Sequence, residues 1–427
     1  NKRILMDYLL ISLTDHTEET FFKDVNVLRS SHNLILDLAT NTIEKKKYYD
    51  VTFRKDINQL NLDQSIAKYK EIFDQSVTLR MRSDVKVGTC LSGGLDSSYI
   101  SAIASEKYNE VASDNFNAIT AESLEPRLNE TKYAKMVVEH CHLNWNVTSP
   151  TKNDFEEYTQ ALVEVLEEPF GTPSVFLQNR VMKKAKEAGV TVLLDGQGAD
   201  ESLLGYPKYL GAYVKSLPAL KKVKFLKNIS KNLSLKPLYL MKSHLYFTNF
   251  AVRKRRALSR LGKVNQKYLK AIDFTTLKEI SKSYNDVFEM QKLEITKTQI
   301  PQLLKWEDKN SMAFSIETRL PFLDYRLVEA SLSMNNDYKL KDYWSKYILR
   351  KSMEDSLPEE IVWRKTKIGF EAPTKDWLKE SFIWDLVNKS PLLNDIFDGN
   401  ITKSDDVAFS WRLCNIALWE KVFNVKF

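Results

Sequence analysis

A chain of 427 residues, 43% hydrophobic and 28% charged, has the balance of a soluble globular protein able to bury its core without staples. Three cysteines, Cys90, Cys141 and Cys414, are too few for a disulfide framework; this excludes the small disulfide-built scaffolds and points to a reducing compartment, the cytoplasm. The net charge is +7, and no run of about 18 apolar residues exists, so no membrane-spanning helix is predicted.

The start, Asn1-Lys2-Arg3-Ile4-Leu5-Met6, has neither an initiator methionine nor a signal-peptide core, so the chain reads as a piece of a longer protein. Residues up to about Phe53 look β-rich, with strand-like composition at Thr20-Phe21-Phe22 and Asn33-Leu34-Ile35-Leu36-Asp37-Leu38. From about Gln59 apolar runs alternate with helical patterns. Val85 to Leu91 reads as a buried strand, and Ser97 to Lys107 as a helix with Ile100, Ile103 and Ala104 on one face. Asn117 to Thr120 and Asn144 to Thr148 are further strand candidates. The helical stretch Val175 to Ala188, stopped by Gly189, leads into the strand Val190 to Leu194. Apolar strands alternating with helices predict a parallel sheet covered on both faces, an α/β fold. The adjacent trio His140-Cys141-His142 cannot easily converge on one tetrahedral ion, and no second ligand pair follows at zinc spacing, so no metal site is expected there. No acidic residue occurs between Glu201 and Asp273, while lysines and arginines recur, most densely at Arg253-Lys254-Arg255-Arg256. After Asp273 the pattern is mostly helical, ending near Trp419.

The strongest local signal is Leu91-Ser92-Gly93-Gly94-Leu95-Asp96-Ser97-Ser98, which follows a strand and opens a helix. Two glycines let the backbone turn sharply and approach a ligand. Loop and helix-start N–H groups then favour an anion. Ser92, Ser97 and Ser98 add hydroxyl donors, and Asp96 adds a carboxylate able to hold a hard cation beside phosphates. The loop is a candidate pyrophosphate cradle. It is not a Walker loop, which ends in Gly-Lys-Ser/Thr, and it lacks the Gly-x-Gly-x-x-Gly spacing of a dinucleotide fold. The plainer alternative is a Gly-Gly turn with a serine helix cap.

Ser-Gly-Gly-Leu-Asp-Ser-Ser resembles the pyrophosphate loop of the PP-loop ATP pyrophosphatases. Further segments are similar, in order, to the asparagine synthetase family: Glu168 to Ser174, Asp195-Gly196-Gln197-Gly198-Ala199-Asp200-Glu201, Ser311-Met312-Ala313, Glu317 to Asp324, and Arg364 to Phe370. The resemblance covers roughly Leu60 to Leu378. It implies a sheet of the adenine nucleotide alpha hydrolase-like kind with a helical C-terminal part, and ATP and magnesium as cofactors. It gives Asp96 and Asp200 to magnesium, and Leu91, Thr120 and Ala121, through backbone groups, to adenine. It places Asp195 and Gly196 in the nucleotide loop. Lys367 aligns with the lysine that stabilises the charged transition states of adenylation, with Lys365 as fallback. Asp200 has a helix N-cap as its alternative.

Gln197 stands where the glutamine-dependent members usually have Glu and β-lactam-forming relatives have tyrosine. A glutamine side chain cannot take a proton at neutral pH. Either another base serves, or the nucleophile or acceptor differs, or Gln197 orients ammonia well enough by itself. Glu317 is a candidate for the missing base and Arg319 for gripping a carboxylate; a structural ion pair is the equal alternative.

Glu19 to Val25 resembles the closing strands of the glutaminase domain that precedes the synthetase domain in this family. Residues 1–55 are therefore expected to be a short β-rich remnant of that domain, and 56–427 the synthetase domain with a basic helical insertion at about 207–272. No cysteine sits in a glutaminase context, so glutamine hydrolysis is not expected from this chain. The acid-free insertion reads as a solvated basic face, with an anionic membrane or a polyanion as the other candidates. The resemblance implies activation of a carboxylate, by default aspartate, as acyl-AMP and attack by ammonia. Amidation of a surface-polysaccharide sugar acid or a peptide carboxyl, or a non-catalytic nucleotide-binding role, stays open. A homodimer is compatible with these features; a nucleic-acid partner is not expected.

Overall fold

The computed structural model describes residues 1–427 except 234, 263, 366–368, 380–381, 399–400, 402–403 and 427. Its first element is a helix, α1 (Lys2–Ile11), capped by Asn1, whose side chain accepts from the Arg3 and Ile4 N–H groups. The N-terminal segment thus opens on a helix ahead of its antiparallel strands. Ile4, Leu5, Met6, Tyr8, Leu9 and Leu10 are all buried, and so is Asp7, paired with His16 at 2.9 Å, so α1 is buried on every side and shows no helical stripe to read. Thr20 to Phe22 forms no strand; only an isolated bridge, Glu19 to Asn26, closes there. The Asn33–Leu38 expectation corresponds to β1 (His32–Asp37), paired antiparallel with β2 (Thr42–Lys47). This hairpin is solvated on both faces, with Leu34, Ile35, Leu36 and Ile43 exposed.

The elements then alternate: α2 (Leu62–Met81), β3 (Val87–Cys90), α3 (Leu95–Asn109), β4 (Asn117–Ala121), α4 (Thr131–Cys141), β5 (Asn144–Thr148), α5 (Lys152–Leu166), α6 (Ser174–Glu187), β6 (Val192–Leu194) and α7 (Ala199–Ser202). A last strand, β7 (Glu317–Arg319), joins the same sheet. The sheet order is β5-β4-β3-β6-β7, and every pairing is parallel. Val87, Ala118, Val192 and Leu194 pack with Phe73 of α2 and with Tyr99, Ile100 and Ile103 of α3 on one face. Ile119 and Leu193 pack with Val181, Met182 and Ala185 of α6 on the other. With both faces covered, the strands read as apolar runs rather than alternations. The order of winding decides where a ligand fits. From β3 the chain moves outward through β4 and β5, then returns to the far side of β3 for β6 and β7. The order therefore reverses between β3 and β6, and the crevice beyond their carboxyl ends is the ligand position of an open α/β sheet.

Beyond β6 the chain is mainly helical. The acid-free stretch includes α8 (Pro237–Thr248) and α9 (Phe250–Leu261), and further on lie α10 (Ile300–Met312), α11 (Tyr347–Ser352) and α12 (Val407–Phe423). Some of its basic side chains pair with acids elsewhere: Lys208 with Glu294 at 2.7 Å, Lys221 with Asp337 at 3.1 Å, Arg260 with Asp406 at 3.1 Å and Lys267 with Asp395 at 2.6 Å. No helix among the described residues is long and apolar enough to cross a membrane.

A second large core joins α1 to the C-terminal helix. The Tyr8 hydroxyl donates to the Phe170 carbonyl at 2.8 Å, and Trp411 Nε1 donates to the same oxygen at 3.0 Å. Asn415 Oδ1 accepts from the Phe170 N–H at 2.7 Å and from the Tyr8 hydroxyl at 3.3 Å. Residues 8, 170, 411 and 415 thus form one buried polar knot inside an aromatic core. Tyr8→Ala removes a fully buried ring and one donor of this knot, and should lower the unfolding free energy by about 3–5 kcal/mol in denaturant titration. A loss below about 1 kcal/mol would mean that α1 is not part of the folded core.

Candidate functional site

Two loops meet at the crevice. The first, Ser92–Gly94, connects β3 to α3. Gly93 has φ +73°, and a Cβ there would lie 2.5 Å from the Ala134 backbone nitrogen, so only glycine fits. The serines shape the loop: Ser92 and Ser97 hydroxyls are 3.1 Å apart, the Gly94 N–H donates to Ser92 Oγ at 3.2 Å, and Ser98 Oγ donates to the Gly94 carbonyl at 2.6 Å. Gly94 caps α3 with no side chain, which leaves the positive end of a 15-residue helix facing the crevice.

The second loop, Asp195–Gly198, connects β6 to α7. A Cβ on Gly196 would meet Asp96 Cβ and the Ser97 nitrogen at 3.3 Å each, so this glycine lets the two loops touch. Gly198 has φ +97°, and its Cβ would fall 2.3 Å from Leu323 Cδ2. The sharp turn delivers Asp200 beside Asp96. Between the two carboxylates lies Lys346, whose Nζ is 2.7 Å from both oxygens of Asp96 and 2.6 Å from Asp200 Oδ1. Lys346 is 4% exposed and has φ 53° just before α11. Gly205 makes room, since its Cβ would collide with Asp200 and with Lys346 Cε. No motif flagged Lys346. A lysine in Trp344-Ser345-Lys346-Tyr347 looks like a surface residue until the chain returns to the crevice.

The cluster is dry enough to move proton affinities. Burial raises the Asp195 carboxyl to about 6, against its bond from the Gly196 N–H, with the nearby Asp96 charge adding to the rise. Burial, then the charge of Asp200, raises Glu201 to about 8. Arg364 was visible only as part of a basic run. It donates to the Gly93 carbonyl at 3.2 Å, pairs with Glu130, and lies 3.6 Å over the Tyr133 ring. It therefore clamps the glycine loop to α4.

The sequence candidates divide as follows. Leu91, Ser92, Gly93, Gly94, Asp96, Ser97, Ser98, Asp195, Gly196, Gln197 and Asp200 come together on the two loops and on the residues that flank them at the β3–β6 crevice. Thr120 and Ala121 end the neighbouring strand; Thr120 Oγ1 donates to the Leu91 carbonyl at 2.8 Å and accepts from Trp145 Nε1 at 2.9 Å. The side chains of Glu317 and Arg319 turn elsewhere. Arg319 Nε donates to Glu317 Oε1 at 2.7 Å, and its Nη1 donates at 2.7 Å to the carbonyls of Arg80 and Arg82. The bonds to these carbonyls tie β7 to the end of α2. Lys367 lies outside the described residues, and its fallback Lys365 is exposed.

The donor set around Lys346 fits a hard cation. Two carboxylates already share one positive charge there, beside a helix N-terminus suited to phosphate oxygens. Lys346→Met removes the charge between Asp96 and Asp200. In chelator it should cost about 3–5 kcal/mol, as for breaking a buried pair, and millimolar magnesium should recover most of that loss in a thermal melt. A variant that melts like the wild type in chelator would contradict this electrostatic role.

The sequence profile described as asparagine synthase matches residues 68–399. Asparagine synthetase (glutamine-hydrolyzing) 1 of Bacillus subtilis strain 168 is 28% identical over 404 residues, 88% of this chain and 62% of that protein. Asparagine synthetase (glutamine-hydrolyzing) 2 of the same strain is 29% identical over 365 residues, 82% of this chain and 45% of that protein. A putative asparagine synthetase (glutamine-hydrolyzing) 2 of Methanocaldococcus jannaschii is 32% identical over 221 residues, 51% of this chain and 41% of that protein. The chain thus spans 41% to 62% of the length of these three relatives. With a profile match over most of its length and the two-loop crevice at the sheet's switch point, the chain belongs to the asparagine synthase family.

Proposed function

We propose that this chain is an ATP-dependent carbon–nitrogen ligase that activates a carboxylate as an acyl-adenylate, releases pyrophosphate and forms an amide with ammonia. The observation that carries the reading is Asp96 and Asp200 converging on one buried cationic position at the N-terminus of α3. In this reading the N–H groups at the start of α3 and in the Ser92–Gly94 loop take the pyrophosphate portion of ATP. Leu91, Thr120 and Ala121 border the adenine position. Asp96 and Asp200 would hold magnesium, which neutralises phosphate charge when bound. Lys346, released from the carboxylates, donates to phosphate oxygens as negative charge shifts to the leaving group; a fixed cation in a dry site is worth several kcal/mol there. Lys367, on the family resemblance, is assigned the same task. Asp195 and Gly196 keep the two loops in register. Glu317 and Arg319 hold β7 in place, and Gln197 faces the acyl centre as a hydrogen-bonding group.

The acceptor by default is aspartate. The second reading, amidation of a sugar acid or peptide carboxyl, is favoured by Gln197, an amide where a proton-handling carboxylate is usual in the family. We assign residues 1–55 to the tail of a glutaminase domain, 56–427 to the synthetase domain and about 207–272 to a basic insertion within it. The nitrogen source on this chain is then ammonia. The cytoplasm, with its ATP and free magnesium, is the assigned compartment.

The test is mass-spectrometric identification of the product formed from ATP, ammonium and a panel of carboxylates. One acid should yield amide, AMP and pyrophosphate together. Asp96→Asn should cut pyrophosphate release at least a hundredfold, about 3 kcal/mol in the barrier. Turnover of aspartate at an ordinary rate would remove the second reading, and no carboxylate-dependent pyrophosphate release would replace both with a nucleotide-binding role.

A further inference from the structure

A second lysine besides Lys346 is sealed inside the protein. Lys339 closes the short helix Asn336–Lys339 and is 0% exposed. Among the described residues no carboxylate pairs with it; its Nζ donates to two neutral oxygens, Gln291 Oε1 and the Leu332 carbonyl, at 2.9 Å each. Burial lowers the ammonium to about 7, against the charge of Asp286. Near neutral pH much of it is therefore the free amine, whose two N–H groups match its two acceptors. Gln291, on the helix Val287–Leu293, is equally buried. Its Nε2 donates to the Glu201 carbonyl at 2.7 Å and to the Ser202 carbonyl at 2.6 Å. These carbonyls end α7, the four-residue helix that carries Asp200. A chain of hydrogen bonds thus runs from Lys339 through Gln291 to the backbone beside Asp200.

Burying a lysine without a counter-charge is costly, so its place calls for an explanation. The fold offers one in α7. A single helical turn has little stability of its own, and its last carbonyls have no partner within the helix. Gln291 donates to two of them. To do so its amide must turn nitrogen toward α7 and oxygen away, and Lys339 takes that oxygen. Asp200 immediately precedes Glu201, so a shift of these carbonyls would move its carboxylate off Lys346 and away from Asp96. We propose that Lys339, acting through Gln291, is a positioning residue that fixes α7 and the Asp200 carboxylate, and so sets the affinity of the pocket for magnesium–ATP. This rests on the ligase reading above, in which Asp200 holds magnesium. Lys339 and Gln291 are both sealed from solvent, so neither touches the nucleotide.

The experiment measures ATP binding by titration calorimetry, in millimolar magnesium and again in chelator, for the wild type, Lys339→Met and Gln291→Glu. Circular dichroism checks that each variant is folded. Lys339→Met keeps the length of the side chain and removes its donors. Gln291→Glu keeps the shape and gives Lys339 a carboxylate partner, but turns an oxygen toward the Glu201 and Ser202 carbonyls. With magnesium, Kd should rise about tenfold or more in both variants, the cost of disturbing a group that orients a metal ligand. In chelator, Kd should stay within about twofold of the wild type, because the N–H groups of α3 and of the Ser92–Gly94 loop are untouched. A purely structural role lowers the melting temperature and gives no such split. A folded variant of either kind that binds magnesium–ATP as the wild type does, or that loses affinity equally in both conditions, would overturn the proposal. Failure of the ligase reading looks different: the wild type itself would then gain no ATP affinity from magnesium, and the proposal would fall with it.

Discussion

The site depends on one electrostatic constraint: two aspartates and a lysine ammonium share a nearly water-free pocket where two loops cross. Asp96 and Asp200 come from opposite sides of the switch point, and neither could be brought there without a positive charge between them. Lys346 supplies it at 2.6–2.7 Å to both. The glycines follow from that constraint. Gly196 lets the loops touch, Gly198 turns the chain toward Asp200, and Gly205 leaves room for the lysine. Arg364 and Tyr133 then fix the outer loop. Each of these residues serves to keep the two carboxylates and the ammonium together.

The sheet and the glycine loop were legible in the sequence because their signals are local. Strand positions agree closely at Asn117–Ala121 and Asn144–Thr148, and the helix Ser174–Glu187 ends beside Gly189 as its composition suggests. β7 was hidden because Glu317-Thr318-Arg319 is a polar edge strand, and its charges serve the end of α2 instead of the crevice. α1 was hidden for the opposite reason, being buried on all sides, Asp7 included. Lys346 was illegible because its meaning lies in a partner 250 positions away in the chain. Nothing in the local sequence distinguishes a lysine that a return turn carries into the pocket from one left on the surface.

The N-terminal segment shows how far one chain mixes its parts. α1 is locked to α12 through Tyr8, Phe170 and Asn415, whereas the β1–β2 hairpin extends into solvent with apolar side chains on both faces. An isolated two-stranded hairpin is marginal by itself. The family members similar to this chain are longer than it, and the hairpin is where the fold is least self-sufficient.

The central claim is that a carboxylate oxygen attacks the α-phosphorus of ATP at the Asp96–Lys346–Asp200 pocket. Oxygen-isotope transfer tests it most directly. A substrate labelled with oxygen-18 in its carboxyl group is turned over with ATP and ammonium, and the released AMP is weighed by mass spectrometry. The account predicts one labelled oxygen in each AMP and none in the pyrophosphate. Unlabelled AMP, or label appearing instead in inorganic phosphate beside ADP, would contradict adenylation and the role given to the pocket.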